Sequence, residues 1–253
     1  SFLARTLPSI LPTMAVPYPL RAPDASIQPA AFVGDAATPG ELTLAHGGVL
    51  LLAHMHAFDP ACLTALCRAV ETRVVTIPNG EASLLLPANV HLVATVLPCP
   101  CGFYRDPIQE CTCSPETILE HRQCIQEVID VCFDLHIEVP IMREHLMRMP
   151  SEESSATIRQ RVEAAREQQR KRYVDTNTLW LNVDIRSVDE VQQHCQMDAA
   201  AERLLRAAHT QLHLTPLQSL RIHRVARTIA DLAGAEIIAA NHLAEAISYH
   251  SRF

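Results

Sequence analysis

Gly47-Gly48-Val49-Leu50-Leu51-Leu52-Ala53 is the stretch that decides the architecture. A glycine pair introduces five apolar residues in succession, too few for an ordinary helix. Their length and flanks suit a strand buried on both faces of a parallel sheet. Asp59-Pro60 follows within a few residues and predicts a helix start, with Asp as cap and Pro in the first turn. Leu63, Leu66, Cys67 and Val70 lie on one side of that helix and form its expected inner stripe.

Outward from this strand–helix pair, Val74–Ile77 and Ser83–Leu86 flank Asn79-Gly80, a strong hairpin signal. His91–Leu97 reads as a second buried strand and Leu135–Val139 as a third. Upstream, seven prolines fall between Pro8 and Pro39 and permit only short helical pieces and extended connections. Phe2–Leu7 reads as the tail of a helix.

The texture changes from Ser151 onward. Ser151 with Ser154 predicts an early cap for a charged helix over Ile158–Tyr173. Ala199–His213 is a second helix, and Thr215-Pro216 opens a third with Ile222, Val225, Ile229 and Leu232 on one side and Gly234 as its stop. Asn241–Tyr249 is a fourth. The chain is therefore expected to divide into an α/β part, residues 1–145, and an all-helical part, residues 146–253.

Composition supports globular folding. Apolar residues make up 48 % of the 253 residues and charged residues 19 %, enough for a sizeable core, and aromatics at 4 % make that core aliphatic. A net charge of -7 without a long Lys/Arg run argues against a surface built as a whole for nucleic acid. No apolar run approaches the length that spans a bilayer, and no signal-peptide pattern is present. Nine cysteines without secretory features point to reduced thiols or metal ligation, and to the cytoplasm as the expected compartment.

Several stretches together resemble the magnesium-chelatase-like AAA+ family, in its ComM-like branch. They are Arg21-Ala22-Pro23, the run from Pro39 to Leu50, Pro98-Cys99-Pro100-Cys101-Gly102, Asp134 to Pro140, and Val225 to Gly234. Their order and spacing match over nearly the whole chain. The resemblance implies a P-loop NTPase core of three α/β/α layers followed by a C-terminal helical lid, with the hairpin near Asn79-Gly80 as an insertion. It further implies ATP with Mg²⁺ as cofactor, and a homo- or hetero-oligomeric ring acting on branched DNA.

Carried over position by position, the resemblance makes Ser1 the Mg²⁺-binding hydroxyl of a phosphate loop that lies upstream, so the chain is expected to be a fragment or a truncated product. It places Ala53 and His54 where the family has its acidic pair, Leu97 at the polar sensor position, and Cys132 at the arginine presented to a neighbouring subunit. Only the lid arginine is retained, as Arg221. Phosphoryl transfer is positioning plus charge neutralisation. Four substituted positions therefore predict an ATPase that hydrolyses little or nothing, and leave a silent subunit or a zinc-stabilised binding module as alternatives.

Cys99, Cys101, Cys111 and Cys113 place four thiols within a turn-rich loop in segment 98–115. Two CxC pairs suit one structural Zn²⁺; small buried thiols packing as apolar groups are the other reading. Cys62, Cys67, Cys124, Cys132 and Cys195 show no pairing in sequence. His54 and His56 suggest a shared side of an extended chain without a third ligand. The Arg-rich helix Ile158–Tyr173 interleaves Glu163 and Glu167, the pattern of a solvated face; phosphate contact with DNA is the alternative.

Overall fold

The computed structural model describes residues 19–79, 82–139, 153–174 and 181–250. They fall into two compact units, one running to Phe133 and one from Asp134.

In the first unit β1 (Leu20–Arg21), β2 (Val49–Leu52) and β5 (His91–Ala94) form a parallel sheet in the order β1-β2-β5. Strand β2 is flanked on both sides, Val49 pairing with Leu20 and with His91, which is why all four of its residues are buried. Gly48 permits the close approach of β1: a Cβ there would lie 2.0 Å from the Pro19 carbonyl oxygen. Short helices α1 (Pro29–Val33) and α2 (Glu41–Leu44) connect β1 to β2. Helix α3 (Pro60–Thr72) starts as expected, the Asp59 carboxylate accepting the Ala61 N–H at 2.7 Å. It buries Cys62, Leu66 and Ala69, with Leu63, Cys67 and Val70 partly covered beside them. Strands β3 (Val74–Asn79) and β4 (Ala82–Pro87) make the antiparallel hairpin, Asn79 pairing with Ala82; Gly80 and Glu81 at its tip lie outside the described residues.

Two strand expectations are corrected. The strand expected over His91–Leu97 stops at Ala94 and is only half-buried, because among the described residues it pairs with β2 alone. Leu135–Val139 is not a strand: Leu135, Ile137 and Val139 are exposed, and among the described residues the apolar alternation has no ladder partner. A long helix that the apolar pattern did not announce, α4 (Pro115–Cys132), is nucleated by Ser114, whose hydroxyl accepts the Thr117 N–H at 3.2 Å ahead of a first-turn proline.

The second unit is helical: α5 (Ser155–Arg172), α6 (Val188–His194), α7 (Ala199–Leu212), α8 (Pro216–Leu232) and α9 (Ala240–Ser248). Ser154 caps α5, accepting from Thr157; Ser151 lies outside the described residues. A full capping box opens α8, the Thr215 hydroxyl accepting the Gln218 N–H and the Gln218 amide oxygen accepting the Thr215 N–H. The inner face of α8 is rotated from the expected stripe. Ile222, Ala226 and Ala230 are buried with Arg227 and Asp231, while Leu232 is exposed. Among the described residues no helix is long and apolar enough to cross a membrane.

Candidate functional site

Two places in the first unit concentrate chemistry. The first is the carboxyl end of the parallel strands, where open α/β sheets bind ligands. After Leu52 the chain leaves β2 through Ala53 and His54, and His54 takes left-handed backbone angles (φ 55, ψ 52). Thr95 fixes this turn: its hydroxyl accepts the His54 N–H at 3.0 Å, its carbonyl accepts the Met55 N–H at 2.9 Å, and its own N–H donates to Leu52.

The imidazoles gather there. His54 and His56 have ring centroids 5.8 Å apart, and His121 from α4 brings a third ring 5.1 Å from His56. The Leu97 N–H donates to His56 Nδ1, and the Leu97 carbonyl pairs with His121 Nε2 at 3.0 Å. Burial, then the neighbouring His121 and His54, hold His56 below the usual imidazole range. The sequence missed His121 because helical spacing on α4 does not advertise a residue whose partner is far away in the chain. Ala53, His54, Thr95 and Leu97 include no carboxylate, so this donor set does not fit a hard magnesium ion with its nucleotide.

Ser1 lies outside the described residues. Arg221 lies in α8, its side chain 6 % exposed and its Nε 3.4 Å from an Asp134 oxygen; Arg224 binds the same carboxylate at 2.7 Å. Cys132, the last residue of α4, donates its S–H to Cys67 Sγ at 3.5 Å, a pairing that the sequence did not show.

The second place is the cysteine loop. Gly102 (φ 85) and Arg105 (φ 61) turn the chain so that Cys99, Cys101, Cys111 and Cys113 converge, their four sulfurs all within 4.8 Å of one another. Cys99 is 3.4 Å from Cys101 and 3.7 Å from Cys111, and Cys101 is 3.5 Å from Cys111. Four thiolates about 2.3 Å from one tetrahedral ion stand roughly 3.8 Å apart, close to these separations. The backbone amides of Phe103 and Thr112 pull Cys101 down to about 5 against burial. Against backbone hydrogen bonds of their own, burial and hydrogen bonds to Cys101 and Cys99 push Cys111 up to about 12 and raise Cys113, so the cluster holds its negative charge on Cys101 first. Cys99 is fully buried and the others half-buried, which suits a closed structural site.

In the second unit the Arg-rich helix is not uniformly a solvated face. Arg170 does pair with Glu167 at the surface, and Arg161 with Glu153. Arg172, however, turns inward to the buried Asp231.

Comparison with known proteins completes the picture. Residues 12–147 match the family model "Magnesium chelatase, subunit ChlI", and residues 152–250 match that of the ChlI C-terminal region. The uncharacterized protein YifB of Escherichia coli is 35 % identical over 238 residues, covering 92 % of this chain and 45 % of that protein. Competence protein ComM of Haemophilus influenzae is 33 % identical over 237 residues with the same coverages. An uncharacterized Mycobacterium tuberculosis protein, Rv2897c, is 29 % identical over 234 residues. The chain thus spans about half the length of the curated relatives it matches. Two consecutive family models, joined across parallel-sheet and helical units in the order seen here, leave one reading: the chain belongs to the magnesium chelatase ChlI family of AAA+ proteins.

Proposed function

We propose that this chain is a structural and assembly module of an AAA+ ring protein, one that contributes the fold and lid but little or no ATP hydrolysis of its own. The reading rests on the end of β2, where the chain presents Ala53 and a left-handed His54, the residues that the resemblance aligns with the family's acidic pair. With Leu97 at the sensor position and Cys132 at the finger position, no group from these four sites holds Mg²⁺, orients water or neutralises γ-phosphate charge. Arg221 is the retained lid arginine by resemblance; its present partner is Asp134, so contact with a phosphate requires it to leave that carboxylate. DNA is the partner class to test, because one relative is a competence protein and the resembled branch acts on branched DNA.

The decisive experiment is Mg²⁺-dependent phosphate release by the pure chain, with and without DNA. Release at the level of a buffer blank is expected. Turnover that vanishes when His54→Ala is introduced would overturn the reading and make the imidazole a working base.

A Zn²⁺ ion held by Cys99, Cys101, Cys111 and Cys113 completes the module, tying the loop after β5 to the start of α4. Four thiolates leave no open position, so the metal's contribution is folding energy rather than chemistry. Elemental analysis should find one zinc per chain, lost in Cys111→Ser; a folded wild-type chain free of metal removes this part of the proposal.

A further inference from the structure

Outside the strand ends and the cysteine loop, one more pair of reactive groups meets. Cys67 lies in the third turn of α3 and Cys132 ends α4. These helices pack on one another, and the two sulfurs stand 3.5 Å apart although 65 positions separate them in sequence. Both thiols are half-buried, within reach of a small molecule, whereas Cys62 and Cys195 are buried. The hydrogen bond from Cys132 draws the Cys67 thiol below its ordinary range, against burial and the charges of Glu71 and Glu127. A disulfide needs its sulfurs about 2.05 Å apart, so the pair must close by roughly 1.5 Å, and Cys132 stands at the very end of its helix.

We propose that Cys67 and Cys132 form a modification site, a dithiol that closes reversibly to a disulfide between α3 and α4 on exchange with a low-molecular-weight disulfide such as oxidised glutathione. The Cys67 thiolate attacks one sulfur of that disulfide, forming a mixed disulfide and releasing one small thiolate, which takes up a proton. The Cys132 sulfur then gives up its proton and attacks the Cys67 sulfur, expelling the second small thiolate, which takes up a proton. Two protein S–H bonds become one S–S bond, and the small disulfide is reduced to two thiols. The inference is independent of whether ATP or zinc binds.

The test is equilibration of the full chain in glutathione buffers from reducing to oxidising, quenching with an alkylating agent, and reading each cysteine by tandem mass spectrometry. Cys67 and Cys132 should leave the alkylated pool together, the mass should fall by two hydrogens, and one cross-linked peptide pair should join them until dithiothreitol restores both thiols. Cys67→Ser and Cys132→Ser should each lose the cross-link and leave the remaining thiol free or singly glutathionylated. The cross-link is read on the wild-type chain, so the outcome does not hang on the variants folding. If both thiols stay open to alkylation in a buffer that glutathionylates the exposed Cys124, or if either crosses to a different cysteine, the proposal is wrong.

Discussion

The two units handle charge in opposite ways. In the first unit, the positions that the resemblance assigns to the family's acidic, polar and basic groups hold Ala53, His54 and Leu97 near the strand ends and Cys132 at the end of α4, and among the described residues the buried core there is apolar. In the second unit the core is built around a carboxylate. Asp231, its side chain 1 % exposed, accepts from both Arg172 and Arg227, from Asn182 Nδ2 at 2.8 Å, and from Gln169 at 3.3 Å. Burial pushes Asp231 upward, but the hydrogen bonds from Arg172 and Asn182 and the charge of Arg227 hold it below the usual carboxylate range. Tyr173 and Thr228 extend the network through Asn182, at 2.7 and 3.0 Å. Side chains usually associated with catalysis here join α5 to α8, while the place where catalysis is expected is poor in charge.

The largest break in this comparison should come from Asp231→Ala. Removing the carboxylate leaves Arg172 with the neutral Asn182 and Arg227 with the Ala235 and Glu236 carbonyls, and losing one partner of a buried ion pair costs about 3–5 kcal/mol. Urea unfolding followed by circular dichroism should show the loss. A cost within about 0.5 kcal/mol, the usual range for surface substitutions, would make the network incidental and erase the contrast.

In the first unit the sensitive points are steric. Gly48→Ala places a methyl 2.0 Å from the Pro19 carbonyl and 2.5 Å from its ring, a backbone contact that cannot rotate away. Overpacking of this kind costs about 1–3 kcal/mol, and here it falls on the β1–β2 pairing. Protection of the Val49 amide, which donates to the Pro19 carbonyl at 2.8 Å, should drop in hydrogen exchange. Unchanged protection would mean that β1 contributes nothing to positioning β2.

Much of the scaffold was legible because its signals are local. A glycine pair before Val49, Asp59 before Pro60, and Thr215 before Pro216 each specify backbone geometry within one turn, and the structure places elements at all three. The four-cysteine loop was legible for the same reason, its thiols lying close together in sequence around one turn-rich segment. What escaped depends on distance in sequence. Cys67 with Cys132, His56 with His121, and Arg172 with Asp231 are each about sixty positions apart, and nothing in a single chain's periodicity links them. Strand β1 escaped because two residues carry no pattern, and Leu135–Val139 misled because alternation without a partner looks the same as alternation with one.

The smallest effect, and the one that reads both units together, is the dependence of stability on pH. Burial lowers His56 in the first unit and His194 and His223 in the second below the ordinary imidazole value. The folded chain therefore favours the neutral rings. Above about pH 6.5 these groups are neutral folded or unfolded and cost nothing. As pH falls through that value the unfolded chain takes up protons first, so stability declines until the folded chain's own lower values are passed. Asp231, lowered too, acts only in the carboxylate range below this window, where its contribution is lost as it protonates. Urea midpoints measured between pH 7.5 and 5 should decline steadily. His56→Gln should flatten the slope only in part, because His194 and His223 remain. A midpoint that does not move over this range would show that the three rings are as well solvated folded as unfolded, and that the cluster at the strand ends is an open surface rather than a partly closed pocket.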